Sequence, residues 1–215
     1  MREFEKLLLE NKAWSEEKRR SDPKYFRRLA EENRPSFLWI GCSDARVPAT
    51  AITGTQPGEM FVHRNIANMV VHTDISIMSV VQFATDELGI EHIIVCGHYG
   101  CNGINAALTS TNHGLMNKWL RNIKDVYRLH LDELKPLEND RAKLADRLVE
   151  FNVIEQVENL AKTSIVQRSW QRNETPTLHG WVYSLEDGLL RELCKHAWDD
   201  PMDPVYRFDD HAFDE

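Results

Sequence analysis

Two distant segments of this chain share one design, in which an apolar run typical of a buried strand breaks into a glycine-containing turn that carries soft metal ligands. The first covers residues 38–48 (LWIGCSDARVP) and offers Cys42. The second covers residues 92–103 (HIIVCGHYGCNG) and offers His98 and Cys101. In a parallel sheet the carboxyl ends of neighbouring strands lie side by side, and open α/β sheets bind ligands at that edge. The two segments therefore predict a metal site there.

The predicted ligand set is two cysteines and one histidine, which is typical of a zinc ion with a free fourth position. A structural zinc normally has four protein ligands, whereas a catalytic zinc keeps one position for water or substrate. Cys96 lies inside an apolar run and is expected to be a buried core thiol, and Cys194 lies in a predicted late helix, outside the two ligand-bearing segments. We predict one zinc ion per chain. The alternative is a set of unrelated buried cysteines and a histidine that faces solvent.

Length and charge exclude several classes of function. At 215 residues the chain is long enough for a sizeable core, and we predict a single domain over residues 1–215. The 34 acidic residues outnumber the 26 basic ones, and the net charge of −8 argues against nucleic acid or an anionic membrane as the main partner. No apolar run approaches the length of about 18 residues that a membrane helix needs. The absence of a signal-peptide pattern and the four cysteines favour a reducing, cytoplasmic location.

The order of predicted elements favours an α/β fold: a largely parallel β-sheet flanked by helices, with an N-terminal helical arm. The arm, residues 1–34, has an apolar stripe that must pack on its own core or on a neighbouring subunit. The predicted strands cover residues 37–41, 59–63, 92–96 and 177–183. The predicted helices cover residues 73–88 (including the cap at 73–74), 102–108, 113–134, 138–172 and 189–196. Residues 199–215 form an acidic tail.

Three separated motifs carry a resemblance to a known family. They are residues 42–46 (CSDAR), 63–68 (HRNIAN) and 98–101 (HYGC). With these motifs in this order, the chain resembles the β-class carbonic anhydrases over roughly residues 3–195, and bacterial members in particular. The resemblance implies an α/β domain that works as a homodimer or homotetramer. It also implies the reversible hydration of carbon dioxide to bicarbonate and a proton.

The resemblance also implies roles for particular residues. The zinc ligands map onto Cys42, His98 and Cys101, and a catalytic pair maps onto Asp44 and Arg46. Zinc lowers the pKa of bound water to about 7 in the carbonic anhydrase class with three histidine ligands, which makes hydroxide available as the nucleophile. Asp44 is expected to accept a hydrogen bond from that hydroxide, while Arg46 holds the carboxylate in a bidentate fork and keeps it ionised. The alternative is a surface ion pair of little consequence.

A substrate pocket is implied by the resemblance alone. Phe61, Ile66 and Phe83 match cleft positions of the family, where one wall can come from a second subunit. An apolar wall suits carbon dioxide, which is small and apolar. Without the resemblance, all three residues would be assigned to the core.

A regulatory site is implied in the same way. A subclass of the bacterial enzymes has a second, non-catalytic bicarbonate site made from tryptophan, arginine and tyrosine, which match Trp39, Arg64 and Tyr183. Each of these side chains donates hydrogen bonds, and Arg64 adds a charge, so that the set suits an acceptor-rich anion. In that subclass the bound anion breaks the aspartate–arginine pair, and the aspartate then takes the fourth zinc position. The alternative is two core aromatics and an arginine paired with a carboxylate.

The sequence departs from the family pattern at two positions. Ala45 stands where the family usually has serine, and Asn102 stands where it usually has glycine. Asparagine tolerates a positive φ better than other non-glycine residues, so the turn at Asn102 is expected to survive. Neither change removes an essential group.

Two other classes of function compete with the enzyme. The glycines at positions 97, 100 and 103 follow a strand and precede a helix, but their spacing is G-x-x-G-x-x-G, and a dinucleotide site needs G-x-G-x-x-G. The second alternative is a non-catalytic zinc-binding or redox module of the same fold, in which Asp44 and Arg46 are incidental. A carbon dioxide hydration assay separates that module from the enzyme.

Overall fold

The computed structural model describes residues 2–31 and 34–208 of the chain. Within these ranges it has nine α-helices and five β-strands. In chain order they are α1 (Glu3–Ser21), α2 (Tyr25–Glu31), β1 (Phe37–Cys42), α3 (Ala49–Thr53), β2 (Met60–Asn65), α4 (Ile75–Asp86), β3 (His92–His98), α5 (Asn102–Ala107), α6 (Met116–Leu129), α7 (Leu131–Leu134), α8 (Arg141–Ala161), α9 (Ser164–Asn173), β4 (Thr177–Tyr183) and β5 (Leu190–His196). None of these helices is both long enough and apolar enough to cross a membrane.

The five strands form one sheet in the order β2-β1-β3-β4-β5. The first four are parallel, and β5 is antiparallel to β4, which confirms the predicted largely parallel sheet flanked by helices. Strands β1 and β3 are neighbours, with Gly41 opposite Cys96. Their carboxyl ends therefore lie side by side, and these ends carry Cys42 and His98.

The prediction of a helix over residues 189–196 is wrong, because this segment is strand β5. A turn that includes Gly188, at φ 71°, reverses the chain after β4. The N–H of Ser184 donates to the carbonyl of Leu189 at 3.0 Å and closes the hairpin. Pairing with the edge of β4 satisfies the main-chain groups of the segment, and this tertiary contact outweighs its local preference for helix.

One face of the sheet is covered by α4, α8 and α9. The buried apolar side chains of this face pack against Val153 and Val157 of α8. The strand residues among them are fully buried, namely Leu38, Ile40, Ile93, Val95 and Leu178. The opposite face carries a smaller cluster that includes Trp39, Ile94, Cys96 and Ala49 of α3. Full burial of each large apolar side chain contributes on the order of 1.5–3 kcal/mol. The first face is therefore the main core.

Helix α8 packs close to the sheet because glycines lie beneath Val153. A methyl group on Gly97 would lie 2.6 Å from Cγ2 of Val153, and one on Gly180 would lie 3.0 Å from its Cγ1. Ordinary side chains do not tolerate such distances. Gly97 thus sets the separation between α8 and β3, the strand that ends in His98, and Gly180 sets the separation between α8 and β4.

We expect Gly97→Ala to lower the free energy of unfolding by about 1–3 kcal/mol, because the added methyl overpacks the contact with Val153. Urea unfolding measures this loss. The matched double variant, Gly97→Ala with Val153→Ala, removes the clashing atom. Its loss in free energy of unfolding is expected to be smaller than the sum of the losses in the two single variants. Strictly additive losses would show that the close approach of α8 is not the cause.

The N-terminal arm has the two predicted helices within the described residues. Helix α1 buries none of its residues, and the side chains of Phe4, Leu7 and Leu8 are 54%, 70% and 70% exposed. Trp14 packs edge-on against Phe26 of α2, with ring centroids 5.6 Å apart. The apolar stripe thus stays largely uncovered in the single chain. Of the predicted arm, residues 1, 32 and 33 lie outside the described residues, as do residues 209–215 of the predicted acidic tail.

Candidate metal centre and active site

The three predicted metal ligands come from two strand ends and the turn that follows the second. Cys42 is the last residue of β1, His98 is the last residue of β3, and Cys101 caps the start of α5. All three are buried, and their ligand atoms lie within 4.8 Å of one another. The structure therefore brings together the three residues that the sequence patterns selected.

The histidine is oriented as a metal ligand. Nδ1 of His98 lies 3.0 Å from the carbonyl oxygen of Tyr99, which can only accept, so Nδ1 carries the hydrogen and Nε2 carries the free lone pair. Nε2 is buried and has no hydrogen-bond partner among the described residues. The sulfurs of Cys42 and Cys101 lie 3.9 Å apart. Two thiolates on one tetrahedral zinc, each at about 2.3 Å, lie roughly 3.8 Å apart, so the donor set fits zinc.

The surroundings of the two sulfurs shift the pKa values of Cys42 and Cys101 in opposite directions. The hydrogen bond from the Cys101 thiol lowers the pKa of Cys42, and backbone N–H groups of Asp44 and Ala67 lower it further. The same sulfur–sulfur contact, together with burial, raises the pKa of Cys101, although the N–H of Gly103 opposes this effect. The first thiolate therefore forms readily, whereas the second needs a positive charge beside it. A divalent metal ion supplies such a charge.

Asp44 and Arg46 form the predicted bidentate pair. Nε of Arg46 donates to one carboxylate oxygen at 2.9 Å and Nη2 donates to the other at 2.6 Å. This pairing holds the pKa of Asp44 well below its usual range, so the group is ionised at neutral pH. Oδ2 of Asp44 also lies 3.7 Å from Nε2 of His98. The carboxylate thus lies beside the ligand cluster, unlike a pair on open surface.

A cleft of about 410 Å³ opens onto this site. Its lining combines Asp44 and Arg46 with apolar groups, namely Ala45, Ile66 and Met116, and with Asn102. Of the three predicted pocket residues, Ile66 lines this cleft. Phe61 and Phe83 instead pack on each other, with ring centroids 5.9 Å apart, and are not among the described residues that line the cleft.

The three residues of the predicted bicarbonate site differ in their surroundings. Trp39 has no exposed surface, and its indole Nε1 has no hydrogen-bond partner within residues 2–31 and 34–208. Tyr183 packs against the same cluster as Trp39. Arg64 is exposed and holds the active-site loop, donating to the carbonyl of Cys42 at 2.8 Å and to that of Asp44 at 2.5 Å. The arginine thus hydrogen-bonds the loop that carries Asp44.

Two features of the turns differ from what the motifs suggested. Asn102 does not need a positive φ, because it is the first residue of α5, and the left-handed position is Gly100 at φ 68°. The carbonyl of Gly100 accepts a 3.4 Å hydrogen bond from Arg46, a contact that sequence reasoning did not identify. Ala67 is also left-handed, at φ 63°, and no glycine marks that position.

Comparison with known proteins gives consistent matches. The carbonic anhydrase family matches residues 37–190 of this chain. The carbonic anhydrase of Emericella nidulans is 51% identical over 189 residues, which cover 88% of this chain and 82% of that protein. The β-carbonic anhydrase CafA of Aspergillus fumigatus, a solved structure, is 36% identical, with a TM-score of 0.85 and 93% of each chain covered.

A second solved structure is one of two tetrameric β-carbonic anhydrases from Sordaria macrospora. It is 36% identical, with a TM-score of 0.85, and the match covers 90% of this chain and 98% of that chain. These three relatives are fungal, whereas the motifs suggested bacterial members. The bacterial type, with its second bicarbonate site, stays a prediction.

Proposed function

The chain belongs to the β class of the carbonic anhydrase family and is a carbonic anhydrase, and we propose that one zinc ion bound by Cys42, His98 and Cys101 serves its reversible hydration of carbon dioxide to bicarbonate and a proton. The observation that carries the proposal is the cluster of these three ligands within 4.8 Å. An ionised carboxylate lies 3.7 Å from the histidine nitrogen.

The geometry supports the role that we propose for each residue. Zinc, when bound, supplies a nucleophilic oxygen at neutral pH by lowering the pKa of water. Asp44 is ionised and therefore acts as a hydrogen-bond acceptor for the oxygen that attacks carbon dioxide, orienting its lone pair toward the carbon. Arg46 fixes the carboxylate with two hydrogen bonds and holds its charge. Because the side-chain geometry exists before substrate enters, little reorganisation accompanies the reaction.

The substrate is placed in the cleft beside this pair. Ile66, Met116 and Ala45 give the cleft apolar walls, which suit carbon dioxide. We assign Phe61 and Phe83 to a further wall that forms when a second subunit packs against the chain. The exposed ring of Phe83, at 48%, leaves surface available for that contact.

The proposed regulatory site uses the hydrogen bonds that Arg64 makes to the active-site loop. Bicarbonate bound to Trp39, Arg64 and Tyr183 would compete for the guanidinium that now holds the carbonyls of Cys42 and Asp44. Release of the second carbonyl frees the loop to move and to break the Asp44–Arg46 pair. The unpartnered indole N–H of Trp39 supports this role, since a buried donor without an acceptor is costly.

We expect Trp39→Phe to weaken inhibition by bicarbonate, because the ring is kept and the N–H donor is lost. The measurement is the pH–rate profile of carbon dioxide hydration with and without added bicarbonate. Trp181→Phe is the matched control, since Trp181 packs edge-on against Trp39, with centroids 6.4 Å apart, but lies outside the proposed site. Inhibition that is identical in wild type and Trp39→Phe would reject the regulatory site.

We propose a homodimer or homotetramer in solution. The uncovered apolar stripe of α1 supports this proposal, as does the tetrameric relative from Sordaria macrospora. Sedimentation is expected to show at least two chains of 25.0 kDa, and Leu7→Glu with Leu8→Glu is expected to shift the protein toward monomer. An active wild-type monomer would contradict the assignment.

A cytoplasmic location is proposed because zinc needs the thiols of Cys42 and Cys101 reduced.

Stopped-flow carbon dioxide hydration by the zinc-loaded protein tests the proposed function. We expect hydration far above the uncatalysed rate, together with loss of activity on removal of zinc and its return on reconstitution. A protein that binds zinc at full stoichiometry without accelerating hydration would be the non-catalytic zinc module.

A further inference from the structure

A strained segment runs beside the metal centre directly after β2. Ala67 and Asn68 both lie in the left-handed region, with φ values of 63° and 47°. Asparagine tolerates this region, but alanine enters it rarely because its Cβ crowds the backbone. Such strain persists only where the surrounding structure holds it.

Two buried amide side chains of α8 hold this segment. Nδ2 of Asn152 donates to the carbonyl of Ala67 at 3.0 Å, and Oε1 of Gln156 accepts from the N–H of Val70 at 2.7 Å. Nε2 of Gln156 donates to Oδ1 of Asn152 at 3.3 Å, which orients the asparagine amide. The side chains are 1% and 0% exposed. Amides this deeply buried are costly unless their hydrogen bonds are made, so their presence among the buried, mostly apolar positions of α8 calls for a reason.

The held segment packs beside both proposed metal-binding cysteines. Ala67 is fully buried, in the same apolar cluster as Cys42 and Cys101. Its methyl lies 3.3 Å from the position that a Cβ on Gly103 would occupy, and that position is 3.7 Å from the sulfur of Cys101. A rotation of the Ala67 peptide would therefore disturb the packing around both sulfurs.

We propose that Asn152, oriented by Gln156, is a positioning residue for the metal centre, holding Ala67 in its left-handed conformation beside Cys42 and the turn that carries Cys101. The inference rests on the proposed zinc site. Asn152 would maintain the site although it lies 85 positions from Ala67 in the sequence. Partners that orient and hydrogen-bond metal ligands commonly contribute 10- to 100-fold, by order of magnitude, to metal affinity.

The test variant is Asn152→Asp, which has nearly the same shape. It keeps an acceptor for Gln156 but loses the N–H that reaches the Ala67 carbonyl. The control is Gln167→Glu on α9, where a 6% exposed amide donates to the carbonyls of Ala161 at 3.0 Å and Tyr206 at 2.8 Å, outside the metal centre. Both changes replace a buried amide donor by a carboxylate. Both are therefore expected to lower stability.

The readouts are the zinc dissociation constant, from competition with a chromophoric chelator, and the thiolate-to-cobalt absorption band of the cobalt-substituted protein. We expect Asn152→Asp to weaken zinc binding by about 10-fold or more and to shift the cobalt band. Gln167→Glu is expected to match wild type in both. If Asn152→Asp does not fold, Asn152→Ser replaces it, since its shorter side chain leaves the Ala67 carbonyl out of reach.

Wild-type zinc affinity and an unshifted band in the folded Asn152 variant would overturn the proposal. Equal losses in Asn152→Asp and Gln167→Glu would also overturn it, because they would show a general effect of stability. A wild-type chain that binds no zinc would instead refute the proposed function, so the two failures are distinguishable.

Discussion

Cys101→Ala is expected to abolish stoichiometric zinc binding and to lower carbon dioxide hydration by at least about 10³-fold. The change leaves only Cys42 and His98 as ligands, and two ligands do not hold zinc firmly. The fold should survive, because the Cys101 side chain makes no capping hydrogen bond at the start of α5. Metal analysis of the purified variant measures the loss, and circular dichroism checks the fold.

Cys194→Ala is the matched control for that experiment. Cys194 is a free, partly buried thiol that packs against the main core, away from the ligand cluster. We expect this variant to keep one zinc per chain and wild-type activity. Full zinc stoichiometry in Cys101→Ala would remove that cysteine from the proposed site.

Asp44→Asn is expected to keep zinc and to lower the hydration rate by about 10²–10⁴-fold. Asparagine has almost the same shape, but it carries no charge for Arg46 and offers one acceptor oxygen in place of two. Stopped-flow rates on protein with measured zinc content separate this effect from metal loss. Asp125→Asn is the control, since Asp125 forms a pair with Arg121 at 3.2 Å on the surface of α6. A wild-type rate in Asp44→Asn would leave the carboxylate without a catalytic role.

The strands that carry the ligands could be predicted from sequence because of their burial. Parallel strands covered on both faces are continuous apolar runs, and turns with glycine end them. The prediction for residues 177–183 coincides with β4, whereas β3 runs two residues further than residues 92–96, to His98. Adjacent carboxyl ends then place Cys42 and His98 together, as the structure shows.

Strand β5 could not be predicted from local pattern. Residues 190–196 (LRELCKH) are mostly good helix formers, and the segment becomes a strand because the hairpin at Gly188 lays it against β4. The buried amides of α8 were missed for a related reason. The helix buries residues on several sides, so Asn152 and Gln156 stand out only once their partners are known, and these are 85 and 86 positions away.

The regulatory residues depend on the family resemblance and not on local pattern. Trp39 is fully buried and packs with Ile94 and Cys96, as any core aromatic would. Its indole N–H has no acceptor in the described chain, and this distinguishing feature is visible only in the folded structure. Arg64 likewise reads as a surface charge until its contacts to the loop carbonyls are seen.

X-ray absorption at the zinc edge tests whether two thiolates and one imidazole of this chain hold zinc with a fourth position left free. We expect two sulfur scatterers at about 2.3 Å, one histidine nitrogen at about 2.0–2.1 Å and one further light atom. The spectrum of Cys101→Ala, if any zinc remains, should show one sulfur fewer. A wild-type spectrum with four sulfur ligands, or with none, would contradict a zinc site made by Cys42, His98 and Cys101.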